Sequence, residues 1–65
     1  MRFYIIIENT EEEIMFEGYI ENVPSIEELK NEIEKKFYPC VSRYYICTKK
    51  PETYRDDSIV EYVQI

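Results

Sequence analysis

The stretch Pro24–Pro39, PSIEELKNEIEKKFYP, decides the fold because it predicts a capped amphipathic helix. Ser25 is a favourable N-cap, and Glu28 follows at the spacing of a capping box. Pro39 ends the helix, because proline cannot continue the ladder of backbone hydrogen bonds. Apolar residues recur at helical spacing and therefore share one face: Ile26, Leu29, Ile33 and Phe37. This stripe must be buried, so the rest of the chain has to supply an apolar surface for it.

Two β-rich runs precede the helix and predict an antiparallel hairpin. Arg2–Glu8 is apolar on both faces, with Tyr4 and Ile6 together on one of them, which favours a central strand. Glu13–Glu21 alternates and favours a half-buried strand, in which Gly18 marks a bulge or a close approach of the helix. The inward side chains of this strand are predicted to be Ile14, Phe16 and Ile20. The outward ones are predicted to be Glu13, Met15, Glu17, Tyr19 and Glu21.

Two further strands are predicted after the helix, at Val41–Thr48 and Ser58–Ile65, with a polar loop between them. The inward face of the last strand is open from the sequence, because two sets of residues fit it. Either Ile59, Val63 and Ile65 point inward, or Val60 and Tyr62 do. The order β-β-α-β-β predicts a single α+β domain over residues 1–65, with the helix on one face of a four-stranded mixed or antiparallel sheet.

This order, with the run Val23-Pro24-Ser25 followed by Leu29-Lys30 and Ile33, resembles the ubiquitin-like β-grasp family. The resemblance implies a β-grasp-like fold that often serves as a protein-binding module. It does not carry over modifier or sulfur-carrier activity, because the sequence reads Val63-Gln64-Ile65 where the family has its Gly-Gly tail. A split β-α-β or ferredoxin-like arrangement stays open as an alternative.

One helix covers only one face of such a sheet, so a second, tyrosine-rich face is expected to be open. The sequence holds seven tyrosines, whose rings suit an interface that also tolerates water. The apolar centre of a partner-binding surface is predicted at Tyr4, Ile6, Met15, Tyr19, Tyr44 and Tyr62. The competing interpretation is that these are ordinary half-exposed strand residues.

Charge is distributed unevenly: residues 1–34 carry a balance of −8, and the whole chain carries −6. Glu13, Glu17 and Glu21 share one strand face and are predicted to form the charged rim of the interface. The balance argues against direct binding to nucleic acid or to an anionic membrane, and it favours a partner protein with a basic surface. The competing interpretation is a solvated surface that keeps a small protein soluble.

Catalysis has little support in the sequence. There is no histidine, so no Ser-His or Cys-His pair can be built, and no zinc or calcium spacing is present. We therefore expect no enzymatic activity, cofactor or metal. Cys40 and Cys47 would lie roughly 23 Å apart along a strand, beyond disulfide reach. Reduced cysteines without a secretion signal predict an intracellular, cytoplasmic protein.

The sequence thus predicts a small acidic, non-enzymatic protein-binding module. Its sharper form is an inhibitor or regulator that occludes a basic surface, one that normally holds nucleic acid, as phage-encoded anti-defence inhibitors do. The alternative is a structural homodimer that uses the same tyrosine-rich face to complete an undersized core.

Overall fold

The computed structural model describes residues 1–65 and consists of one helix packed on a four-stranded sheet. The strands are β1 (Phe3–Asn9), β2 (Ile14–Ile20), β3 (Val41–Cys47) and β4 (Ile59–Gln64), and the helix is α1 (Ile26–Phe37). The strand order is β2-β1-β3-β4, and every neighbouring pair is antiparallel. The predicted α+β class and the order β-β-α-β-β are confirmed, and the sheet is antiparallel throughout.

Helix α1 begins and ends where its sequence directs. The Ser25 hydroxyl accepts a hydrogen bond of 3.1 Å from the Glu28 backbone N–H, which satisfies one amide of the first turn. Leu29 and Ile33 are buried against the sheet, and Ile26 and Phe37 pack beside them. The apolar stripe therefore forms one wall of the main core.

Strand β1 lies in the middle of the sheet and has two buried faces, as predicted. Phe3, Ile5 and Ile7 join the main core beneath α1; we call this side of the sheet the helix face. Tyr4 and Ile6 point the other way, to what we call the second face, and form a smaller core with Cys47. Two distinct apolar layers therefore stabilise a very small domain.

A β-bulge in β2 reverses part of the predicted alternation. Ile7 pairs with Phe16, but the next residue of β1, Glu8, pairs with Ile14, so Met15 is the extra residue. Met15 consequently packs against the main core, and Ile14 shares the second face with Glu8. The prediction that Met15 lies on the second face and Ile14 on the helix face is wrong, because alternation fails across a bulge.

The face predicted for Tyr44 is also wrong. Tyr44 has no exposed surface and lies in the main core, where its hydroxyl donates a hydrogen bond to the Glu34 carboxylate of α1. Its neighbour Tyr45 occupies the second face instead, opposite Tyr62 of β4. The sequence cannot show which of two consecutive tyrosines points into the core, because either ring can fill that position.

A second bulge resolves the ambiguity of β4. Ile46 pairs with Glu61 and Cys47 with Ile59, so Val60 is the extra residue. Val63 therefore packs on the helix face and Ile59 on the second face, although both were expected to point the same way. Neither of the two residue sets considered for the inward face is correct as a whole.

Candidate protein-interaction site

The second face is largely covered by the chain itself. The loop between β3 and β4, residues 48–58, crosses it and is fixed by hydrogen bonds at two points. The Lys50 backbone N–H donates to the Tyr19 hydroxyl at 3.1 Å, and the Tyr54 hydroxyl donates to the Glu8 carboxylate at 3.2 Å. The expectation of an open apolar sheet face is therefore wrong: Tyr4 and Ile6 are buried.

The Asp56 carboxylate gives this loop its shape. It accepts backbone N–H groups from Glu52 at 3.1 Å and from Ser58 at 2.8 Å. These backbone hydrogen bonds stabilise the ionised form and lower the pKa of Asp56 to about 2. At neutral pH the loop is thus an ordered cover held by a charged side chain.

Besides Ile14 and Tyr19 of β2, the second face keeps a short row of tyrosines partly exposed. Tyr45 lies between Tyr54 and Tyr62, with ring centroids 4.9 Å apart on each side. Tyr62 is 48% exposed and is the one predicted member of this row. Tyr45 and Tyr54 were missed, because nothing local indicates that a polar loop returns over the sheet.

The three glutamates predicted as one rim each bind a different neighbouring side chain instead. Glu17 accepts the hydroxyl of Tyr4, and burial, reinforced by this carboxylate, raises the pKa of Tyr4 to about 12. Glu21 forms an ion pair of 2.7 Å with Arg2, whose guanidinium lies 3.8 Å from the centroid of the Tyr19 ring. Glu13 accepts the Asn9 side-chain amide at 3.2 Å, just before β2 begins.

The second face also holds a partly buried ion pair that sequence reasoning missed. The Glu8 carboxylate lies 3.0 Å from the Arg43 guanidinium on the neighbouring strand, and the same side chain accepts Tyr54. A charged residue in each of two apolar strands was the available signal. The nine residues predicted as one partner-binding surface therefore divide between the two faces and the hairpin turn.

A groove on the opposite side of the sheet is the strongest candidate site. It lies between α1 and β2, has a volume of about 520 Å³ and is lined mainly by apolar side chains. Phe16 and Phe37 form one end, with ring centroids 6.4 Å apart, and Phe16 remains 38% exposed. Apolar side chains that stay partly uncovered in so small a domain are typical of a binding surface.

Gly18 leaves open space between two residues that line this groove, Phe16 and Ile20. It lies on the helix face between Phe16 and Ile20, opposite Ile5 of β1. A Cβ atom placed there would lie 3.7 Å from the Phe16 ring and within 4 Å of no atom of the helix. Gly18 thus marks neither the bulge, which is at Met15, nor a close approach of the helix. Its effect is to leave space for another side chain.

The rim of the groove is mainly acidic. Glu28 and Glu32 project from exposed positions of α1, and Glu21 lies at the end of β2 next to them. Lys36 is the one basic residue that lines the groove. Since Arg2 neutralises Glu21, the charges that face an incoming partner are chiefly the two helical glutamates.

Strand β2 is an edge of the sheet, so its outer side has no strand partner. Ile14 is 50% exposed at the start of this strand. An edge strand with exposed apolar residues is a template for pairing with another chain. The groove therefore has a helix for one wall and a free strand edge for the other.

The structure shows little basis for metal binding or for thiol chemistry. No three side chains of the metal-binding types come together, and the helix lacks the length and apolar character needed to cross a bilayer. Cys40 is exposed and Cys47 is buried, and burial raises the pKa of the Cys47 thiol. A thiol with a raised pKa is a poor nucleophile.

Comparisons of the chain with protein-family models, curated proteins and solved structures find no match. The functional assignment therefore depends on the geometry and charge of the surfaces described above.

Proposed function

We propose that this protein is an acidic, non-enzymatic protein-binding module whose site is the groove between α1 and β2. The observation that carries the proposal is an apolar groove, left uncovered beside a free strand edge and rimmed by glutamates. The apolar lining favours contact with protein side chains. The rim favours a partner with lysine or arginine around its apolar contact.

Both parts of the groove contribute to binding, in different ways. Completing the burial of Phe16, now 38% exposed, adds roughly 1 kcal/mol, given about 1.5–3 kcal/mol for full burial of such a side chain. Glu28 and Glu32 steer a basic partner and orient it, which raises the association rate more than the affinity. Apolar contact then determines how long the complex lasts.

The sharper form of the proposal is an inhibitor or regulator that acts by steric occlusion. A basic protein surface that normally holds nucleic acid is a suitable partner, because it already presents lysine and arginine to a polyanion. The protein would then occupy that surface in the cytoplasm, in the manner of phage-encoded anti-defence inhibitors. The resemblance to the ubiquitin-like β-grasp family stays a prediction that agrees with a binding role.

The test is to capture the partner from the native host, identify it by mass spectrometry and measure its binding to charge variants. We expect the double variant Glu28→Gln/Glu32→Gln to weaken binding about fivefold to tenfold at low ionic strength, with the difference shrinking in 0.5 M salt. The matched control, Glu11→Gln/Glu12→Gln, changes the net charge equally in the hairpin turn. Equal losses in both double variants would contradict a site at the groove.

The alternative proposal, a homodimer formed through the tyrosine-rich face, has its own test. That dimer would have to enclose the loop between β3 and β4, which already occupies this face. Sedimentation at several concentrations decides between the two. A strict monomer at micromolar concentration contradicts the dimer, whereas dissociation caused by Tyr62→Ala would favour it.

A further inference from the structure

We propose that the free edge of β2 accepts an extended, basic segment of the partner as a fifth strand, whose apolar side chains enter the groove. This inference rests on the proposed function and specifies how the partner binds. The bound segment is a strand in which lysine or arginine alternates with apolar residues.

The position of the added strand follows from the bulge. A bulge interrupts regular pairing, so the uninterrupted part of β2 runs from Phe16 to Ile20. This edge is about 17 Å long, at roughly 3.4 Å per residue. It therefore pairs with a short segment, and a peptide of about seven residues is long enough to include its full length.

The alternation of β2 determines which side chains the segment needs. Directly opposite residues on neighbouring strands point to the same face. A residue opposite Gly18 therefore points into the groove, where the absent side chain leaves room beside Phe16. A residue opposite Glu17 points to the second face and meets a carboxylate, so lysine or arginine is favoured there.

A second copy of this chain fits the same edge poorly. Antiparallel self-pairing centred on Glu17 would place two glutamates directly opposite each other, which is destabilising. Self-pairing centred on Gly18 would place two glycines opposite each other and leave the groove unfilled. A net charge of −6 on each copy adds repulsion at low ionic strength.

A helical segment would leave the backbone N–H and C=O groups on the outer side of β2 without partners. The backbone N–H and C=O groups of a helix are bonded within the helix, so they cannot pair with the outer side of β2. An extended segment bonds to that edge and fills the groove at once. The two requirements together favour a strand.

The test is a titration of the ¹⁵N-labelled protein with blocked seven-residue peptides. The first probe alternates lysine and valine, the second has the same composition in an order that breaks alternation, and the third replaces lysine by glutamate. We expect the first probe to shift the amides of residues 16–20 and to protect those of Glu17 and Tyr19, whose N–H groups point away from β1. The second should bind at least fivefold more weakly, and the third should not bind.

Gly18→Val supplies the decisive variant, because its side chain occupies the gap while valine suits a strand. We expect at least a tenfold loss of binding by the alternating peptide, with an unchanged or higher melting temperature. Gln64→Val, a matched addition of an apolar side chain to the other edge strand, should bind as the parent does. This control excludes a general effect of strand stabilisation.

Several results would overturn the inference. They are equal binding of the alternating and rearranged peptides, full binding by Gly18→Val, tighter binding of a basic helical peptide, or self-association through β2 in place of peptide binding. If the captured partner still binds with the salt dependence described above, such a result removes the strand mode and leaves the proposed function standing. If the captured partner also binds the groove charge variants unchanged, the proposed function fails.

Discussion

Replacing Tyr44 tests the assignment of faces in β3, on which the composition of the main core depends. Tyr44 is fully buried and donates to Glu34, whereas Tyr45 is half-buried on the second face. Tyr44→Ala removes a large core ring and should cost about 3–5 kcal/mol. The total stability of a domain of this size is roughly 3–10 kcal/mol. We therefore expect Tyr44→Ala to lose a large fraction of the free energy of unfolding, from about a third to all of it.

Tyr44→Phe keeps the ring and removes only the hydroxyl, which makes it the more informative variant. Glu34 is half-buried and can gain water in exchange, so the expected loss is about 1–2 kcal/mol. That loss lowers the melting temperature by about 4–8 °C for each kcal/mol. Urea unfolding followed by far-UV circular dichroism measures the difference. The control, Tyr45→Phe, lacks a hydrogen bond to lose and should be nearly neutral. Equal losses in both variants, or none in Tyr44→Phe, would refute the assignment.

Three further predictions concern the second face. The pKa of Asp56 is lowered to about 2. The ionised carboxylate therefore stabilises the fold fully above its ordinary pKa of about 4, and this stabilisation is lost as pH falls towards 2. In Asp56→Asn, the free energy of unfolding by urea should depend less on pH between those two values. Arg43→Ala leaves the buried Glu8 carboxylate without its cation and should lower the melting temperature, which Glu8→Gln in the same chain should partly restore. Alkaline absorbance titration should show Tyr4 ionising near pH 12, and Glu17→Gln should bring its titration to lower pH.

The parts of the fold that sequence reasoning predicted are those set by local chemistry. The helix was defined by Ser25, an apolar stripe and Pro39, and each acts within one or two turns. Strand β1 was recognised as central because it is apolar on both faces. In both cases a periodic pattern long enough to read lies in one uninterrupted segment.

The wrong face assignments lie in strands where one extra residue, or a choice between two neighbours, changes which side chains point inward. Met15 and Val60 are the extra residues of two bulges, and a bulge depends on pairing with a distant strand. Tyr44 and Tyr45 are chemically equivalent, so only packing decides which one lies under the helix. Pattern reading assumes strict alternation and therefore cannot find such shifts.

The sequence predicts the acidic character of the candidate site but not its location in the fold. The excess of glutamate and the expectation of a basic partner follow from composition. The loop that covers the second face depends on contacts made by Lys50 and Tyr54 with distant strands, and no local pattern indicates them. The groove exists because α1 leaves part of β2 uncovered, which is decided by how the helix sits on the sheet.

The most direct test of a binding site between α1 and β2 is the map of amide shifts when the alternating lysine–valine peptide is added. We expect saturable shifts that cluster on residues 16–20 of β2 and on Leu29 and Ile33 of α1, and that are lost in Gly18→Val. Shifts that cluster instead on Tyr54 and Tyr62, or no saturable shifts at all, would contradict it.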